Sequence, residues 1–131
     1  MFNPNLKIGA FFSVRAIAPI TTSYVAGNVF SMEDHNALGL DVIYTKGTET
    51  TMEIKIETSN DNGLNYFQET AQSTSGGTVT KSLAERAYSA TGNYSELLNP
   101  MRAKLVRVSA KSTYATASNG SVTIRAYPLW V

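Results

Sequence analysis

His35 is the only histidine of the chain, so any imidazole chemistry must pass through it. It stands in Ser31-Met32-Glu33-Asp34-His35-Asn36, with two carboxylates beside it. A metal centre needs its donors to converge. Adjacent residues of an extended chain point in different directions, and no second imidazole completes a typical ligand set. A Ser-His-Asp relay would have to use the same histidine, and no Gly-x-Ser-x-Gly elbow accompanies it. The run reads as a polar loop between two strands.

The carboxylates lead to the same result. Glu53 and Glu57 share one strand face four residues apart, roughly 13 Å by the strand rise. Glycosidic cleavage needs a carboxyl pair about 5 Å or about 6.5–9.5 Å apart, so this pair fits neither geometry. With Lys55 between them, they read as a solvated strand face. Ser59, Asp61 and Asn62 carry oxygens suited to calcium, but their loop is too short for an EF-hand and all three are turn formers. The spacing Ser59-x-Asp61-x-Gly63-x-x-Tyr66 resembles the Asp-box hairpin, with Tyr66 at the usual aromatic place. That resemblance implies a folding device and no catalysis. The chain has no cysteine, which excludes disulfides and thiolate metal sites. No catalytic residue, metal or cofactor is expected, and the chain reads as a non-enzyme.

Binding chemistry is equally sparse. Lys plus Arg is 11 against 10 for Asp plus Glu, a net charge of +1, which lacks the excess of a nucleic-acid binder. Lys104, Arg107, Lys111 and Arg125 read as an ordinary solvated face. The 7 tyrosines could stack on sugars if several stood exposed together, but tyrosine in a sandwich is commonly a core-edge residue with a wet hydroxyl. No run approaches the ~18 apolar residues of a membrane span. Residues 8–14 are short, interrupted by Ser13 and followed by Arg15, so they read as a strand and not as a signal peptide. Neither membrane, nucleic acid nor small-molecule ligand is an expected partner.

The elements that position these groups are strands. Met52, Ile54 and Ile56 alternate with Glu53, Lys55 and Glu57, the period of a strand with one buried face. Leu38, Leu40, Val42 and Tyr44 form a second apolar row, Val122, Ile124, Ala126 and Trp130 a third, and Phe12, Val14, Ala16 and Ala18 a fourth. The third row places Trp130 in the core. Between residues 101 and 111 the phase slips at Leu105–Val106, which predicts a β-bulge or a change of facing sheet. Residues 81–89 fit either strand or helix, with strand favoured by their surroundings, and residues 95–99 read as a helical turn or loop ahead of Pro100. Ser59-Asn60-Asp61-Asn62-Gly63, Ser75-Gly76-Gly77 and Ser118-Asn119-Gly120 are turns, with Lys46-Gly47 and Thr91-Gly92-Asn93 as lesser breaks. This pattern predicts an all-β, single-domain antiparallel β-sandwich, jelly-roll-like, of about eight strands. Residues 1–9 form an N-terminal arm and residues 10–131 the sandwich.

The ends of the chain are unusually apolar for termini. Phe2, Pro4, Leu6, Ile8 and Phe11 near the start, with Leu129 near the end, are the candidate partner interface.

The Glu/Lys strand over residues 51–58 runs into Ser-Asn-Asp-Asn-Gly and then Tyr66-Phe67. Leu105-Val106-Arg107-Val108-Ser109-Ala110-Lys111 and Gly120-Ser121-Val122-Thr123-Ile124-Arg125-Ala126-Tyr127 follow. This order resembles the capsid decoration, or cement, proteins and related auxiliary head proteins of tailed phages, over residues 38–131; residues 1–36 show no match. The resemblance implies a β-sandwich that clamps neighbouring capsomers with loops and an N-terminal arm, often as a trimer. The expected function is therefore a non-catalytic virion protein, made in the host cytoplasm. It would bind and stabilise the capsid exterior as a homotrimer on the major capsid protein. Alternatives are a carbohydrate-binding jelly-roll module in host attachment and a neck or tail connector.

Overall fold

The computed structural model describes residues 12–113 and 119–131. All regular structure among them is strand. Three of the rows of alternating residues supply inner faces of a sandwich; the side chains of the row Phe12, Val14, Ala16 and Ala18 lie outside the described residues. In β4 (Ala37–Thr45), Leu38, Leu40, Val42 and Tyr44 are buried, and in β5 (Met52–Ser59), Met52, Ile54 and Ile56 are buried. In β12 (Ser121–Leu129) the buried set is Val122, Ile124 and Ala126, with Pro128 also inside. Each large aliphatic side chain taken from water contributes about 1.5–3 kcal/mol. Facing rows from both sheets join in one core cluster.

One sheet has the order β1 (Phe12–Pro19), β12, β4, β10 (Gly92–Leu98). The other is centred on β11 (Leu105–Ser112) and β5, antiparallel from Leu105↔Ser59 to Ser112↔Met52. Its margins are short pieces. β2 (Val25–Ala26) and β3 (Phe30–Ser31) pair with β11, while β6 (Phe67–Gln68) and β9 (Arg86–Tyr88) pair with β5. Between β6 and β9 the chain leaves as a two-stranded hairpin, β7 (Thr70–Ser75) and β8 (Thr78–Leu83), turning at Gly76-Gly77 with φ of 57° and 80°. The all-β sandwich is as expected. The four two- and three-residue margins and the hairpin raise the strand total above the eight anticipated.

Several local expectations change. The β11–β5 ladder is unbroken, so there is no bulge at Leu105–Val106. The strand starts there, and the apolar Met101 belongs to the preceding segment, where it is separately buried. The register shifts lie instead in β1 against β12, between Ser13 and Arg15 and between Arg15 and Ala18. Residues 95–98 are strand and not a helical turn. Their alternation (exposed Ser95 and Leu97, half-buried Glu96, buried Leu98) was obscured by a Glu-Leu-Leu run that also suits a helix. Residues 81–89 contain strands β8 and β9, as favoured. Trp130 lies beyond the end of β12 and is 51% exposed, so phase with the strand did not carry it inside. Asn36 holds Val131 through two hydrogen bonds of 3.0 Å, drawing the chain past the sheet end and leaving Trp130 against His35.

Candidate functional site

Of the residues proposed for a partner interface, Phe2, Pro4, Leu6, Ile8 and Phe11 lie outside the described residues, as does the arm 1–9. Leu129 closes β12 opposite Ala37 and is half-buried. The larger exposed apolar side chains are elsewhere. Phe67 is 68% exposed, Leu97 61% and Leu83 65%. They mark the side where the hairpin leaves the sandwich.

The local chemistry of that side is built from three neighbouring elements. Glu69 follows β6, donates its backbone N–H to Ile56 and accepts one from Ala84, which closes the hairpin base. Arg86, at the start of β9, holds both Glu69 oxygens, one of them at 3.1 Å, and reaches Glu96 of β10 at 3.7 Å. The Glu69 carboxylate is the main reason that the Arg86 guanidinium is held above its ordinary value, against the opposing effect of burial. Tyr88 then donates to Glu96 at 2.8 Å, and its ring meets Tyr94 edge-on at 4.7 Å. Burial first, and this hydrogen bond second, raise the Tyr88 phenol. Glu69, Arg86, Glu96 and Tyr88 thus staple the hairpin base to β10. Beside them Phe67, Thr70, Arg86, Leu97 and Met101 line a groove of 450 Å³ between the two sheets.

Beyond the staple no other strand among the described residues pairs with the hairpin. Every residue of β7 and β8 is exposed, and neither strand pairs with another sheet. Among the described residues β10 in turn is bonded on one side only, to β4 from Gly92↔Tyr44 to Leu98↔Leu38.

The sequence-predicted charges organise differently. Glu53 and Glu57 do not stand on a solvated face. Glu57 is 8% exposed, 3.1 Å from Arg107 and 3.6 Å from Lys55, while Glu53 lies 3.6 Å from Lys111. The Arg107 and Lys111 pairs ladder β5 to β11. Arg107 sits over the Tyr66 ring at 3.9 Å, and Lys55 and Lys111 lie over Tyr24. The two aromatic faces are therefore occupied. Of the described tyrosines, Tyr44 and Tyr88 are buried and the others half-buried, so they form no exposed stacking platform for sugars.

Asp61 behaves as a turn former. It accepts from Ser59 at 2.8 Å and from the Asn65 backbone and side-chain amides at 2.9 and 2.8 Å. The Asn65 bonds, with help from Ser59, hold its carboxyl at about 2. Gly63 takes the positive φ, 87°, expected of a turn residue, and Tyr66 packs over it. His35 donates from Nδ1 to Met32 O at 2.7 Å within a tight turn whose central residues Glu33 and Asp34 have φ of 47° and 65°. That turn, with Asn60, Asn62, Arg102 and Lys104, borders an open cleft of 630 Å³. No group of three His, Cys, Asp or Glu side chains able to hold a metal is found among the described residues.

Sequence reasoning missed Glu49. It is 1% exposed and has no counter-ion in reach among the described residues. It accepts from Tyr44 Oη at 2.7 Å and from the backbone of Gly47 and Gly120 at 3.0–3.2 Å. Burial pushes its carboxyl up, but these hydrogen bonds outweigh burial and leave it below the ordinary range. A lone Glu in a Thr/Gly turn gives no signal of this in the sequence.

No protein-family model matches the chain, and no curated protein matches it. Among solved structures it is similar to one titled "Crystal structure of SPBc2 prophage-derived protein YomS", at 18% identity and a TM-score of 0.52, over 90% of this chain and 89% of that one. At this identity the likeness is one of fold.

Proposed function

We propose that the chain is a structural protein of a tailed-phage virion that binds the capsid exterior and stabilises it, without catalysis. The observation that carries this reading is the fold shared with a prophage-derived protein along nearly the whole of both chains. The sequence resemblance to capsid decoration proteins supports the finer assignment. The mechanism is non-covalent: exposed apolar side chains such as Phe67 and Leu97, with the arm residues Phe2, Leu6 and Ile8, are buried across seams of the major capsid protein. A stable seam contact needs roughly 1,200–2,000 Å² in total. The working unit is a homotrimer at the capsid surface, assembled from chains made in the host cytoplasm.

The test is addition of purified protein to heads that lack it, followed by co-sedimentation and thermal release of DNA. Saturable binding with a raised release temperature is expected. Absence of binding to heads, or recovery with necks and tails alone, removes the reading.

A second reading has one observation in its favour. Trp130 is half-exposed, tilted against His35 at 5.5 Å beside the amide-rich 630 Å³ cleft. An exposed ring next to hydrogen-bonding amides suits a saccharide in host attachment.

A further inference from the structure

Sheet edges are normally blunted by short strands, bulges, Pro or charge, because an open edge recruits another strand. Three of the four margins here follow that rule. β1 carries two register shifts and ends at Pro19. Both margins of the β11–β5 sheet are pieces of two or three residues. β10 does not follow it. It is 7 residues long, keeps one continuous register with β4, and points Asn93, Ser95 and Leu97 outward with no charge or Pro among them. Among the described residues no backbone hydrogen bond outside the β4 ladder involves β10.

The same chain carries a strand pair without a sheet. A lone two-stranded hairpin is marginal in water, yet β7 and β8 run six residues each with every side chain exposed. Residues 70–83 contain one charged side chain, Lys81. Beside β10, Glu69 and Glu96 share the single Arg86, one negative charge in excess. Along β8 the residues Val79, Lys81 and Leu83 share a face. Along β10, Tyr94, Glu96 and Leu98 share one with the same spacing. Setting Lys81 opposite Glu96 brings Val79 and Leu83 level with Tyr94 and Leu98, whichever way the strands run. The added strand would then cover the groove in which Phe67 stands exposed.

We propose that β8 of one copy adds to the β10 edge of a second copy of this chain. Each sandwich gives a hairpin and receives one. Donor and acceptor surfaces differ, so the contact is head-to-tail and closes into a ring when the rotation allows. The inference rests on the self-association in the proposed function and not on capsid binding.

The test uses the full chain, with sedimentation for mass and amide exchange for strand order. Val79→Asp and Lys81→Glu change exposed side chains, so circular dichroism is expected to be unchanged. The native chain is expected to form a closed oligomer in which β8 and β10 amides are protected together. Lys81→Glu sets like charges face to face and is expected to weaken association about tenfold. Val79→Asp is expected to give monomers with unprotected hairpin amides. Oligomers unchanged in both variants place the interface elsewhere and overturn the proposal. So does a native monomer, whether its hairpin is free or folded back on its own β10. A chain that binds heads while monomeric overturns this contact and leaves the capsid reading intact. A ring that forms but ignores heads does the reverse.

Discussion

Glu49 and Gly120 form a joint in which each residue requires the other. The carboxylate collects donors from Tyr44, Gly47 and Gly120 inside the molecule. A Cβ on Gly120 would stand 2.2 Å from the Thr45 carbonyl oxygen and 2.5 Å from Glu49 Oε1. Neither the backbone oxygen nor the bonded carboxylate has room to retreat, so Gly120→Ala is expected to cost about 3 kcal/mol in urea unfolding. Glu49→Gln presents an amide N–H₂ where only acceptors fit, and is expected to cost about 2–3 kcal/mol at neutral pH. The folded carboxyl titrates below its unfolded value. Its contribution is therefore full above the ordinary carboxylate range and fades as pH falls through the folded value. The gap between native protein and Glu49→Gln should accordingly narrow below about pH 4. A gap independent of pH between neutrality and acid rules out the anionic account.

At the level of elements, the β5–β11 ladder combines charge pairs with aromatic cover. Arg107 bonds Glu57 at 3.1 Å and lies over Tyr66 at 3.9 Å. Tyr66 in turn packs on Gly63 of the hairpin turn. Arg107 thus ties the middle of the sheet to the turn between β5 and β6. The pair is partly exposed, with side chains 30% and 11% accessible, so its Coulomb energy is screened and its worth is modest. Arg107→Ala is expected to cost about 1 kcal/mol, a fall of roughly 3 °C in Tm for a domain of this size. Arg107→Lys is expected to recover only part, because an ammonium cannot lie flat on the ring and bond the carboxylate together. Full recovery by lysine, read by the same thermal scan, would show that charge alone matters.

For the whole molecule, the two sheets have unequal tasks. The β11–β5 sheet is closed at its margins and carries the hairpin on one of them. The β1–β12–β4–β10 sheet leaves one regular edge open among the described residues. The core is continuous across both. The self-association and the head binding proposed above are thus separable. The proposed ring would use β8 and β10, whereas the seam contacts proposed for the capsid would use exposed apolar side chains and the arm. Measuring mass and head binding on one preparation tells them apart.

The amino-acid sequence alone determined the class of fold and most of the core. Alternation of Met52, Ile54 and Ile56, or of Leu38, Leu40, Val42 and Tyr44, is a local property, and any strand with those residues must hide one face. The Ser59–Tyr66 turn was legible for the same reason, since its bonds join residues at most four apart. Tertiary structure decided everything that depends on which strand lies beside which. The open edge of β10, the unsupported hairpin, the burial of Glu49 and the exposure of Trp130 all arise from pairings between distant residues. An edge strand and a central strand share the same period of two. Only the neighbours assigned by the fold distinguish a paired backbone from one that is free to take a partner.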